Sequence, residues 1–84
     1  MTIYELEMDA DAQDPYTWVD CRIIRKQRRE LSVDRYLVDV SPAVAAAIGD
    51  LPGITKIEVA PDGSYVDDSD KTFVVRSGQV VDDI

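Results

Sequence analysis

The chain has 84 residues and a mass of 9.4 kDa, enough for one domain spanning residues 1–84 and a thin two-layer core, with roughly 60–65% of its surface buried on folding. Nine basic against seventeen acidic residues give a net charge of −8 and a pI near 4.2, which disfavours free nucleic acid and anionic membrane and favours basic partners. One cysteine and no histidine exclude a disulfide framework, a zinc ligand set and His-based nucleophilic triads.

Hydrophobic residues make up 45% of the chain and charged residues 31%, a balance that folds rather than staying disordered. No apolar run approaches the ~20 residues of a membrane-spanning helix. The N-terminus carries neither a basic region nor an apolar signal core, so a cytoplasmic protein is expected. Thirteen of the seventeen acids are Asp, which favours turns and caps over helix interiors. The same Asp-rich surface would also suit a salt-adapted organism.

Residues 2–8 alternate, with Tyr4, Leu6 and Met8 on one face and Glu5 and Glu7 on the other, and read as a half-buried strand. Asp14-Pro15 then resembles a helix start. A helix is predicted over residues 15–30: Tyr16, Val19, Ile23, Ile24, Gln27 and Leu31 fall on one helical stripe, with Arg22, Arg25, Lys26 and Arg29 opposite. A strand competes, because Thr17, Val19, Cys21 and Ile23 also alternate, and Asp20 sits badly in the helical stripe. Caps and length favour the helix.

Residues 32–40 return to strand character through Tyr36, Val38 and Val40. Ser41-Pro42 caps a short helix, Ala43 to Ile48, which stops at Gly49-Asp50-Leu51-Pro52-Gly53. Ile54 to Val59 is a strand, and Pro61-Asp62-Gly63 predicts a hairpin into Ser64 to Val66. After Asp67 to Asp70 come strands at 72–76 and 79–81, joined at Ser77-Gly78. The predicted order is β-α-β-α-β-β-β. The fold class is α+β, two layers, with one mostly antiparallel sheet and two helices on one face.

The run from Ala45 to Val59 resembles the helix-to-strand corner of ferredoxin-like domains, including the heavy-metal-associated family. That family's metal loop carries paired cysteines ahead of the helix. Here the position reads Asp39-Val-Ser-Pro-Ala, so the resemblance implies the shape of the corner and no metal.

Candidate chemistry is sparse. Cys21 becomes a reactive thiol only if Arg22 and Arg25 depress its pKa, and is otherwise a packing residue. The four glycines sit singly, so no phosphate-cradling loop exists. Asp67, Asp68 and Asp70 lack the Gly and Glu of a calcium loop and read as a solvated turn. No enzymatic activity, metal or cofactor is therefore expected.

Two surfaces remain. Five of the nine basic residues lie in Arg22 to Arg29, leaving −13 over the rest. In the helical reading Trp18 joins Arg22, Arg25, Lys26 and Arg29 on one face, a Trp–Arg combination that suits a protein interface. The alternative is a solvated face neutralised by the chain's own aspartates. The rival surface is acidic: Asp62, Asp67, Asp68, Asp70, Asp82 and Asp83 gather on turns and tail of the C-terminal meander. Carboxylates on a rigid sheet can imitate a phosphate track and occupy a basic groove, or simply oppose aggregation. In profile the chain resembles small, acidic, His-free phage-type inhibitors, anti-CRISPR and anti-restriction proteins among them, although no motif identifies such a family. The sequence thus points to a non-enzymatic inhibitor or decoy for a basic, nucleic-acid-binding protein. The alternative is an assembly subunit that self-associates, as a homodimer for example, or docks on a larger complex.

Overall fold

A computed structural model describes residues 2–11, 18, 20–30 and 32–81, with residues 28–30 described by their backbone alone. It contains seven strands and one helix: β1 (Thr2–Asp9), β2 (Arg22–Glu30), β3 (Val33–Val40), α1 (Pro42–Gly49), β4 (Ile54–Val59), β5 (Gly63–Val66), β6 (Thr72–Arg76) and β7 (Gln79–Val81). The class is α+β, with antiparallel pairing throughout. The strands divide into two sheets, β2-β3-β1-β4 and β5-β6-β7.

Each face of the four-stranded sheet contributes to a core of its own. Leu6 and Met8 of β1 lie across from Tyr36 and Asp34 of β3, and with Val38, Val40, Ala45 and Ile48 they form the core beneath α1. On the opposite face Ile3, Ile24, Leu37 and Ala60 bury against Val75, with Tyr65 and Phe73 packed alongside. The central sheet is therefore sandwiched between α1 and the small sheet. Three layers replace the expected two. The reason lies in β1 and β3, where Ile3 and Leu37 break an otherwise polar face and need cover.

α1 forms where the cap predicted it. Ser41 Oγ accepts from the Val44 amide at 3.2 Å, Pro42 opens the first turn, and the Asp50 amide closes on Ala47 O at 3.2 Å. Gly53, at φ 85°, turns the chain into β4. The Gly49 position lies close above Ile57 of β4: a Cβ there would stand 3.3 Å from Ile57 Cγ2.

The helix expected over residues 15–30 is not present over 22–30, which form β2, and α1 is the only helix among the described residues. Residues 12–17 and 19 lie outside the description. Asp20 has φ 62°, a left-handed conformation incompatible with a helix interior. β2 imitated helical spacing because it borders both cores. Ile23 packs toward α1 and Ile24 toward the small sheet, and a register shift between Ile23 and Arg25 breaks the two-residue period.

The second correction concerns Pro61-Asp62-Gly63. This turn does not join a hairpin, since β4 and β5 belong to different sheets. It carries the chain from one sheet to the other, and β5 pairs with β6 instead. Asp62 Oδ1 accepts from the Ser77 amide at 2.8 Å, holding that corner against the β6–β7 turn. Ser77 and Gly78 make the turn expected between β6 and β7, and their φ values of 52° and 77° give it the primed type.

Candidate functional site

β2 is an edge strand, and two of its cations pair with acids of β3. Arg22 sits opposite Asp39 with Nη1 3.5 Å from Oδ2. Lys26 sits opposite Tyr36, its ammonium 5.7 Å above the ring centroid and 3.6 Å from Oδ2 of buried Asp34. The Tyr36 hydroxyl and the Asp34 carboxylate hold the Lys26 ammonium above its usual range. Such cross-strand pairs stabilise a sheet by tenths of a kcal/mol up to about 1 each. Arg29 lies near the end of β2, and its side chain falls outside the described residues.

The predicted basic and acidic surfaces meet here. Arg25 Nη1 donates to Asp67 O at 3.1 Å, and the Asp68 amide donates to Ile24 O at 3.1 Å. The turn between β5 and β6 is thereby fastened to the β2 edge, at the bulge. Within the turn, Asp67 Oδ1 accepts from the Ser69 amide at 2.8 Å and the Lys71 amide at 3.0 Å. The Lys71 amide, then the Ser69 amide and the charges of Lys71 and Arg22, hold this carboxyl below its usual range against a smaller opposing effect of burial. Asp68 and Asp70 remain exposed. Asp62 lies at the other end of β5, about 17 Å from Asp67 by strand rise, while Asp82 and Asp83 fall outside the described residues.

Trp18 does not join the arginines. It is half-buried and packs against the core beneath α1, and the helical spacing that would place it beside Arg22, Arg25 and Arg29 does not exist. Cys21 packs on the same core, and burial pushes its thiol upward, which makes the thiolate scarcer.

A cleft of about 390 Å³ opens between the two sheets, lined by Glu5, Arg25, Gln27, Arg35, Leu37 and β5. Two acids share one of its cations. Arg35 Nη1 stands 3.6 Å from Glu5 and Nη2 3.1 Å from Glu7. Tyr65 closes the β5 side, its hydroxyl donating to Pro61 O and its ring stacked on Phe73 at 5.9 Å. Burial, with the nearby Glu5 and Asp62 carboxylates, pushes the Tyr65 phenol upward. Sequence reasoning did not single out this Arg35–Glu5–Glu7 network. Its signal was present in the alternation of Glu5 and Glu7, but the partner strand and register were needed to bring Arg35 between them.

Among the described residues no group of three or more His, Cys, Asp or Glu side chains could hold a metal ion. None of the described helices is long and apolar enough to cross a membrane. No protein family, no curated protein and no solved structure matches the chain.

Proposed function

We propose that the protein is a non-enzymatic binding module that engages a basic protein through the carboxylates of its loops, in the manner of an inhibitor or decoy for a nucleic-acid-binding partner. The observation that carries this reading is the fastening of the 67–71 turn to β2 by Arg25 and the Asp68 amide. A turn held at both its backbone and its Asp67 carboxylate presents Asp68 and Asp70 already in place. Little ordering entropy then opposes binding.

Charge accounting supports the same reading. Arg22, Lys26, Arg35 and Lys56 are each engaged by carboxylates of their own or a neighbouring strand. Asp62, Asp68 and Asp70 take part in none of the ion pairs among the described residues. These three carboxylates are exposed on the described loops and carry negative charge outward. A catalytic reading gains no comparable support, because in the cleft Arg35 is matched to Glu5 and Glu7, and Arg25 is spent on the Asp67 carbonyl.

Affinity capture tests the proposal. The immobilised chain should retain a basic nucleic-acid-binding protein from a lysate, release it to added DNA, and lose it when Asp68 and Asp70 are both replaced by Lys. Retention unchanged by that double replacement, or shared with an acidic control of equal charge, would refute the acidic-loop mechanism.

A further inference from the structure

The two sheets present four edge strands, and three are closed by recognisable devices. β5 and β7 are only four and three residues long. β2 carries two register shifts and the fastened 67–71 turn. These are the features by which sheets prevent unwanted strand addition. β4 differs. It is six residues long, its one register shift lies at Thr55 near its start, and its outer side pairs with nothing among the described residues.

The direction of its free groups follows from one bond. The Ala60 amide donates to Ile3 O at 2.9 Å, in register with Tyr4 opposite Val59. Alternation then turns the backbone N–H and C=O of Lys56 and Glu58 toward β1, and those of Ile57 and Val59 outward. Val59 is also 47% exposed.

We infer that β4 is the pairing edge of a symmetric homodimer, in which two copies join antiparallel about a two-fold axis at Ile57 and extend the four-stranded sheet to eight. Register selects this occupant. For β4 to pair with itself, outward residues must face outward residues, which leaves three central alignments. Centring on Lys56 sets Lys opposite Lys, and centring on Glu58 sets Glu opposite Glu. Centring on Ile57 sets Lys56 opposite Glu58 of the second copy, twice by symmetry. Both side chains are accessible, and within one copy they already lie 3.1 Å apart. A second copy therefore meets complementary charge in one register and like charge in the two beside it.

The layer above continues the argument. α1 packs over β4 and contains no polar side chain from Pro42 to Gly49, yet Ala43, Ala46 and Ala47 are exposed. A helix apolar on every side is ordinarily covered. Two-fold pairing of β4 brings the α1 layers of the two copies side by side, with small residues that allow close approach. This inference uses different residues from the acidic-loop reading and stands or falls separately from it.

Light scattering coupled to size exclusion, with the full chain over a wide concentration range, provides the test. The expected result is a concentration-dependent species of twice 9.4 kDa. Lys56→Glu and Glu58→Lys should each weaken the dimer by about tenfold or more, because each sets like charges opposite one another twice. Mixing these two variants should restore it as a heterodimer, as should the double variant with itself. Circular dichroism confirms that each variant folds. A monomer at every concentration would overturn the second copy as occupant. A dimer that neither single variant weakens would overturn the β4 register.

Discussion

The two outer strands of the main sheet show opposite treatments of the same problem. β2 is highly cationic, bent by bulges, and fastened by the 67–71 turn to the second sheet. β4 has Lys56 and Glu58 in mutual balance, an exposed Val59, and outward backbone groups with no partner among the described residues. Both strands pair along most of their inner sides, so the difference concerns chiefly what each offers beyond the monomer. The chain closes β2 with its own segments. β4 it leaves to another molecule. Concentrated charge on an edge is thus not by itself a binding signal: on β2 it accompanies closure, and the quieter strand is the one left open.

The comparison breaks most severely at Ile24. This side chain is 5% exposed, sits at the β2 bulge and packs with Leu37 and Val75, while its carbonyl receives the Asp68 amide. Ile24→Ala should lower unfolding free energy by about 2–5 kcal/mol. Chemical denaturation at low protein concentration, where self-association contributes nothing, measures it. A loss below about 1 kcal/mol would mean that the second core does not hold the β2 edge. Gly78→Ala should have the next largest effect, about 1–3 kcal/mol. At φ 77° it occupies a left-handed turn position, and an added Cβ would lie 2.8 Å from Thr2 Cγ2 and 2.9 Å from Val59 Cγ1. The Gly78 carbonyl also accepts from the Ile3 amide at 2.8 Å, so the substitution strains the join between the second sheet and the β4 end of the first.

How much of this was legible in the sequence depends on how many faces each segment buries. β1 and β3 declared themselves through Leu6, Met8, Tyr36 and Val38, because one face alternates cleanly even though the other is partly covered. α1 was announced by Ser41 and Pro42, and the β6–β7 turn by Ser77-Gly78, since local hydrogen bonding and φ preferences decide both. β2 was misread because Ile23 and Ile24 serve cores on opposite faces and the bulge removes the period on which pattern reading relies. Trp18 inherited that error. Pro61-Asp62-Gly63 specifies a change of direction, but nothing local states whether the next strand returns to the same sheet. The basic and acidic surfaces were both visible as composition; that they touch was not, because Arg25 and Asp67 are separated by 42 positions and meet only through tertiary packing.

The smallest expected effect probes the fastening of β2 directly. Asp67 is held below its ordinary value of 3.8 by the Lys71 amide first, then by the Ser69 amide and the charges of Lys71 and Arg22. A carboxyl depressed on folding binds fewer protons in the folded than in the unfolded state, so its contribution is fully present above the ordinary value and is lost as pH falls through the folded one. Above about pH 5 the turn should therefore be indifferent to pH. Below 3.8 the Ser69 and Lys71 amides lose their charged acceptor, and hydrogen exchange at the Asp68 amide should quicken as the turn leaves the β2 edge. An acid titration followed by amide chemical shifts should place the Ser69 and Lys71 transitions below 3.8, and Asp67→Asn should remove both. Transitions at or above 3.8 would show that the carboxylate does not hold the turn, and that β2 is closed by Arg25, the Asp68 amide and the Ile24 side chain alone.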